Sequence, residues 1–370
     1  MHFTRYVALG DSQTEGLNDP DGRGGFRGWA DRFADAVAVD SPQLQYANLA
    51  VRGRLVGAIR REQLAPALAL QPDLATVMGG LNDLMRSSVD LDAVAGDLDA
   101  MLAALRATGA TVLTNTFPDP SEIAPLFRRL APRIAAYNER IRRVAADRGA
   151  LVVDFATHGV GTDLRTWSPD RIHANPLGHA LIAAGFADTL GLPGFSGWAD
   201  PLPTVARASA LRRAGVELRW LGGDVAPWML RRLRGRSSGD GITAKRPRLV
   251  PVAPLFHIVA PSDWPVTGYY RPPSLAEQGF VHFSFADQVA GPANALYRDE
   301  PELVVVEIDP MAVDAEIRVE DSYGEGAAFP HVYGPIPVAA AVATHPLGRD
   351  AGGRWTFSPD RAAAAASPGR

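Results

Sequence analysis

The chain has 370 residues, enough for two domains at roughly 150 residues each, with 21% charged residues and a formal net charge of -4. That balance excludes nucleic-acid coating or membrane adsorption by bulk electrostatics. With no cysteine, a disulfide framework, a thiolate metal site and a thiol nucleophile are all excluded.

From residue 1 to 195, short β-rich runs alternate with longer helical patterns, which predicts an α/β domain with a parallel sheet. The predicted strands are Arg5 to Leu9, Leu44 to Asn48, Leu74 to Met78, Thr111 to Thr116 and Leu151 to Phe155. Between them, Trp29 to Val39, Leu91 to Thr108 and Tyr137 to Asp147 repeat apolar residues at helical spacing, as crossover helices do. A last helix starts at Asn175-Pro176, a capping residue followed by proline at the first helical position. No apolar leader precedes the first strand, and no segment reaches the roughly 18 uninterrupted apolar residues of a membrane span. A cytoplasmic protein without a membrane span is the expectation.

Residues 196–252 gain proline, arginine and tryptophan and read as a connecting arm and linker, with a loop at Gly235 to Gly241. The basic run Arg231-Arg232-Leu233-Arg234 with Lys245-Arg246 is expected to be a solvated face or a clamp on an acidic surface rather than a nucleic-acid site. A second, α+β pattern occupies 253–359, with strands predicted at Leu255 to Val259, Phe280 to Phe283, Leu303 to Ile308 and Ala339 to Ala343. Residues 360–370 form an alanine-rich tail.

Four turns in the first half carry complementary chemistry. Gly10-Asp11-Ser12-Gln13-Thr14 follows the first strand and offers a hydroxyl, and Gly53 past the second strand offers a backbone N–H with no Cβ in the way. Asn82, in Gly80-Leu81-Asn82-Asp83 past the third strand, offers a side-chain amide. Past the fifth strand, Asp170-Arg171-Ile172-His173 puts a carboxylate three positions before an imidazole. Serine needs a base and a group to orient that base before it attacks a carbonyl. In a parallel sheet, strand C-terminal ends share one edge, so all four turns are expected to meet there. Asp11 and Asp83 read as turn and helix-start residues, His179 as a packing or surface residue and His158 as exposed. Met78, Leu81 and Met85 surround the Asn82 block as candidates for an acyl site.

On these four blocks, residues 1–195 resemble the SGNH or GDSL-type hydrolase family. The resemblance implies a flavodoxin-like three-layer α/β/α domain with a five-stranded parallel sheet. It further implies Ser12 as nucleophile, His173 as base, Asp170 as its partner, and Ser12, Gly53 and Asn82 as the oxyanion hole. Gln13 stands where the family's short name has leucine, a position without a chemical role in that scheme. The expected activity is a serine esterase acting on a small or lipid-like acyl ester through an acyl-enzyme, with no metal or cofactor for this domain. A deacetylase of sugars or other acetylated metabolites is the alternative. A third reading makes this half a binding module and places the activity, related to NAD, in the second half.

The second half gathers Phe256-His257-Ile258, Phe280-Val281-His282-Phe283-Ser284 and Phe329-Pro330-His331-Val332-Tyr333. A zinc shell of His257, His282, His331 and Glu320 is conceivable on ligand type but is not the expectation. Together with Leu303 to Asp309, these segments resemble a family of small bacterial domains of unknown function, over about 254–357, that is distantly similar to ADP-ribosyltransferases. The resemblance singles out His257, His282, Ser284, Glu320, His331 and Tyr333 as cleft residues. It implies NAD as a ligand to test.

Overall fold

The computed structural model describes residues 2–22, 24–119, 121, 123, 125–204, 239–324 and 326–358. Its contacts divide the chain into two units, Met1–Ser41 with Tyr46–Leu249 and Pro42–Gln45 with Val250–Arg370. The basic run at 231–234 and the tail at 360–370 lie outside the described residues.

The first unit is built on one sheet. Its strands are β1 (Arg5–Gly10), β2 (Gln45–Asn48), β3 (Leu74–Met78), β4 (Thr111–Asn115), β5 (Leu151–Val153) and β6 (Arg246–Pro251), with Gln45 and Val250–Pro251 at the ends of β2 and β6 falling in the second unit. They lie in the order β5-β4-β3-β1-β2-β6. The pairs β1/β3, β3/β4 and β4/β5 are parallel, with Tyr6 opposite Leu74, Leu74 opposite Thr111 and Leu113 opposite Leu151. Every residue of β3 is buried, as is all of β1 after Arg5, so both faces of the sheet are covered. This is why these strands read as unbroken apolar runs rather than as alternating ones.

The covering helices are α2 (Gly28–Ala38), α3 (Val56–Ala69), α5 (Leu91–Ala107), α6 (Ala131–Arg148) and α7 (Pro176–Thr189), with single turns α1 (Ser12–Glu15) and α4 (Leu81–Leu84) at strand ends. Helix α2 packs on α7, and α5 packs on both α3 and α6. Trp29 of α2 stacks on Phe186 of α7 with ring centroids 4.3 Å apart, and Tyr6 stacks on Tyr46 at 4.9 Å. Truncating a buried ring of this size to alanine typically costs about 3–5 kcal/mol.

A sixth strand is the main departure from the expected five. Residues 246–251, assigned above to a connecting arm, lengthen the sheet at β2 instead. Lys245 fixes the entry to this strand by donating to the carbonyls of Phe26 (2.9 Å) and Arg27 (2.6 Å) and to Asp31 Oδ2 (2.8 Å). The Arg246 guanidinium lies 4.6 Å from the Tyr46 ring centroid. The basic residues of the pair thus clamp an acidic and aromatic surface.

The second unit is a set of small antiparallel sheets. Its strands are β7 (Leu255–Val259), β8 (Tyr269–Tyr270), β9 (Val281–His282), β10 (Val304–Ile308), β11 (Ile317–Glu320), β12 (Phe329–Val332), β13 (Ile336–Pro337), β14 (Ala341–Pro346), β15 (Gly348–Arg349) and β16 (Trp355–Thr356). The larger sheets run β14-β10-β7 and β11-β12-β9. Leu255, Phe283, Phe285, Val306, Ile308 and Val332 form the centre of its core. Among the described residues, no helix of the chain is long and apolar enough to cross a membrane.

Candidate active site

Strand β1 delivers Gly10 and Asp11 to the sheet edge. A Cβ on Gly10 would sit 2.3 Å from Thr14 Oγ1 and 2.6 Å from the Met78 carbonyl, so only glycine lets the chain turn this tightly. The Gln63 side chain holds the turn from α3, accepting from Gly10 N–H and donating to Gly10 O, both at 2.9 Å. Asp11 caps α1 by accepting from the N–H of Gln13 at 3.2 Å. Ser12 is then the first residue of α1, and its N–H belongs to the set a helix leaves without an intrahelical partner.

The Ser12 hydroxyl meets His173. His173 Nε2 is 2.9 Å from Ser12 Oγ, and His173 Nδ1 is 2.7 Å from Asp170 Oδ2. The backbone N–H groups of Ile172 and His173 both donate to Asp170 Oδ1 at 3.0 Å, and Asn18 Nδ2 donates to Oδ2 at 3.1 Å. Burial pushes the Asp170 carboxyl upward, but the hydrogen bonds and the charge of His173 outweigh it and hold the group below its ordinary value. An ionised Asp170 keeps the proton on Nδ1 and leaves Nε2 free to accept one from Ser12. The segment is compact because Arg171 adopts a left-handed φ of 56° and Ser168 ties both ends, with N–H donating to His173 O (2.8 Å) and Oγ to Ala174 O (3.1 Å).

Gly53 and Asn82 reach the same edge by different means. Gly53 has φ 75°, the left-handed region where glycine carries no Cβ penalty. Gly80, two residues before Asn82, has φ 125°, and a Cβ there would sit 2.4 Å from the Tyr137 ring. Asn82 Nδ2 donates to Asp11 Oδ2 at 3.0 Å and to the Arg54 carbonyl at 3.1 Å. The amide expected to face an oxyanion is therefore engaged with two internal acceptors. Burial pushes the Asp11 carboxyl up to about 6, against the lowering hydrogen bond from Gln13 and the charge of His173. Asp83 is likewise raised to about 6 by burial and accepts from Val56 N–H at 3.0 Å, a structural role at the start of α3.

Beside this edge lies an apolar cavity of about 110 Å³, with Gln13 and Ile172 in its wall next to Ser12 and His173. Met78, Leu81, Met85, Phe117, Phe127 and Trp167 also line it. Its volume is a little below the roughly 150 Å³ that accepts a benzene ring in an engineered cavity.

Residues 8–181 match the family described as GDSL-like Lipase/Acylhydrolase. The first unit carries a GDSL-like acylhydrolase domain. It belongs to an enzyme that acts on ester bonds. Residues 258–344 match a separate family, a protein of unknown function (DUF952). An acetylxylan esterase of Geobacillus stearothermophilus is 24% identical over 211 residues, which cover 50% of this chain and 94% of that protein. Among solved structures, LAE5, an α/β hydrolase enzyme from the metagenome of Lake Arreo, Spain, is 24% identical, with 51% of this chain and 95% of that one covered and a TM-score of 0.44. Protein CC0527 from Caulobacter crescentus is 25% identical, with 28% of this chain and 94% of that one covered and a TM-score of 0.26.

Other polar residues of the acylhydrolase domain have structural partners. His179 is fully buried, accepts at Nδ1 from Trp29 N–H (3.2 Å) and donates from Nε2 to the Leu17 carbonyl (3.1 Å). It is a packing residue. His158 is half-buried rather than exposed, because the Trp198 ring covers it edge-on at 4.8 Å. Gln13 and Asn18 escaped the sequence reading as contributors to the site. Neither is acidic, basic or nucleophilic, and their partners at 170–174 are remote in sequence.

In the DUF952 unit the candidates separate into two groups. His257 is buried, donates from Nδ1 to the His282 carbonyl (2.7 Å) and accepts from Tyr270 Oη (3.0 Å). Burial pushes its imidazole down to about 4. Ser284 exchanges both backbone hydrogen bonds with Phe256 and is buried. These two are core residues, contrary to a place in a cleft. The others gather: Glu320 Oε1 accepts from Tyr333 Oη (2.5 Å) and from His331 Nδ1 (3.2 Å), and His282 lies opposite His331 across β9 and β12. Phe280 stacks on the His331 ring at 4.2 Å. Among the described residues, no group of three or more histidine and carboxylate side chains is placed to hold a metal.

Proposed function

We propose that the acylhydrolase domain is a serine esterase in which Ser12 attacks, His173 carries the proton and Asp170 orients His173. The observation that carries this reading is the single imidazole bonded to Ser12 Oγ on one side and Asp170 on the other, at 2.9 and 2.7 Å. Ser12 Oγ adds to the ester carbonyl as its proton passes to Nε2, and the resulting imidazolium is stabilised by Asp170. The oxyanion is held by the N–H groups of Ser12 and Gly53 and by the Asn82 amide, which exchanges one internal acceptor for it. His173 then protonates the leaving alcohol, and a water activated by the same nitrogen releases the acid. No step calls for a metal or cofactor.

The apolar cavity beside Gln13 and Ile172 supports a substrate whose acyl chain extends beyond acetyl. The name of the acetylxylan esterase relative favours a second reading, a deacetylase of sugars or acetylated metabolites. A chain-length panel of activated esters on the full chain separates them: turnover rising with chain length supports the first reading, and turnover confined to acetate supports the second. A fluorophosphonate probe tests the esterase itself. Labelling of the wild type and not of Ser12→Ala is expected; an unlabelled, folded wild type would favour the binding-module reading.

For the DUF952 unit we propose that Glu320, His331, Tyr333 and His282 form a ligand site. Calorimetry of the full chain with NAD tests whether the ligand is that dinucleotide. Heat lost in Glu320→Gln supports it, and no heat from the wild type removes it.

A further inference from the structure

Gln13 makes a bond pattern that the residue in the family's short name cannot make. The residue is 7% exposed. Nε2 donates to the Ile172 carbonyl at 2.9 Å, and Oε1 accepts from Ala174 N–H at 3.3 Å. Those two backbone groups flank His173 on either side. One amide therefore spans the base, and the clamp is anchored on the residue adjacent to Ser12.

Leucine in this place would leave the carbonyl and the N–H without the partner each now has, and Ala174 is itself only 3% exposed. An unsatisfied buried group of this kind costs about 1–3 kcal/mol, which the segment would relieve by shifting. A shift there is a shift of His173 relative to Ser12. Proton transfer needs heavy atoms within about 2.6–3.2 Å, and misplacement by about 1 Å can cost two orders of magnitude in rate.

We propose that Gln13 is a positioning residue that sets the Ser12–His173 distance by clamping the backbone on both sides of the base. The proposal rests on the esterase reading of that pair. The hydrogen bonds of the Gln13 side chain go to the backbone at Ile172 and Ala174, and it acts through that backbone. Glutamate at this position preserves length and the acceptor for Ala174 N–H, but it loses the donor to Ile172 O.

The test is steady-state kinetics on the full chain with a short activated ester, paired with the rate of fluorophosphonate labelling of Ser12. Gln13→Leu is expected to lower kcat tenfold or more with KM within twofold, and to slow labelling by a similar factor. Gln13→Glu is expected to do the same although it fills the same space, and it serves alone if the leucine variant does not fold. Wild-type kcat and labelling rate in a folded variant would overturn the proposal. So would a raised KM with unchanged labelling, which would make Gln13 a wall of the cavity only. Wild-type protein that is neither labelled nor active would instead sink the esterase reading.

Discussion

Asn82 turns its side-chain amide onto Asp11, with Nδ2 3.0 Å from Oδ2. The residue assigned to hold the oxyanion is thus held by the residue just before the nucleophile. Because an oxyanion-hole donor typically contributes two to three orders of magnitude, Asn82→Ala should lower kcat by about that factor. Fluorophosphonate reactivity of Ser12 should fall too, while thermal unfolding stays cooperative. A loss below tenfold would mean that Asn82 only braces Asp11.

The cavity makes a prediction about acyl length. Met85 lies in its wall at the end of α4 and is half-buried, so a larger side chain can be added with little strain on the core. A methylene in an apolar pocket is worth about 1–3 kcal/mol in discrimination. Met85→Trp should therefore reduce turnover of a six- to eight-carbon ester at least tenfold relative to acetate (an order-of-magnitude figure). Equal losses on both substrates would show that the chain does not enter here.

Acid sensitivity follows from His179. Burial pushes its imidazole down to about 4, below the ordinary value near 6.5, against the raising hydrogen bond to the Leu17 carbonyl. A depressed pKa means that the neutral form is favoured by folding. The stability it contributes is present above about 6.5 and is lost as the pH falls through about 4, on the order of 3 kcal/mol in all. Asp11 and Asp83, raised to about 6, act in the opposite sense and gain stability as they protonate. His179→Gln, which can keep one donor and one acceptor, should flatten the fall in the urea midpoint between pH 6.5 and 4 (the interval set by the ordinary and shifted values). An unchanged acid limb would move the cause elsewhere, His257 first.

The close approach of Gly16 and Gly28 fixes α1 against α2. Gly28 has φ 75°, and a Cβ on it would stand 2.3 Å from Gly16 Cα. Gly28→Ala is both strained and overpacked, and a destabilisation of about 2 kcal/mol or more is expected. Calorimetric unfolding measures it. Activity should fall along with stability, since α1 carries Ser12.

Much of the candidate site in the acylhydrolase domain is legible in the sequence because its signals are local. Gly10, Gly53 and Gly80 mark turns, and the apolar runs before them mark buried parallel strands. The residues that finish the site are less visible. Gln13 and Asn18 act on partners more than 150 positions away, and nothing in their neighbourhood encodes that meeting. Asn82 was legible as an amide at the right edge, but not as one already bonded to Asp11. In the second half, His257 and His331 look alike in sequence, each between apolar neighbours. Only the pairing of β11 with β12 places one beside Glu320, while β7 buries the other.

Strand β6 was illegible for a different reason. Arg-Pro-Arg-Leu-Val-Pro carries two prolines and two arginines, a composition that argues against a central strand. An edge strand tolerates both, since its outer N–H groups need no ladder partner and charge discourages further pairing. The consequence is that the acylhydrolase domain is a two-piece object. The turns of its candidate site are complete by His173, yet its sheet is finished by residues that come after the whole 205–238 stretch. Cutting the chain at 195 would keep every turn of the site and bare the hydrogen-bonding rim of β2, an invitation to self-association. Any attempt to transplant the acylhydrolase domain must carry residues 245–251 along as its border.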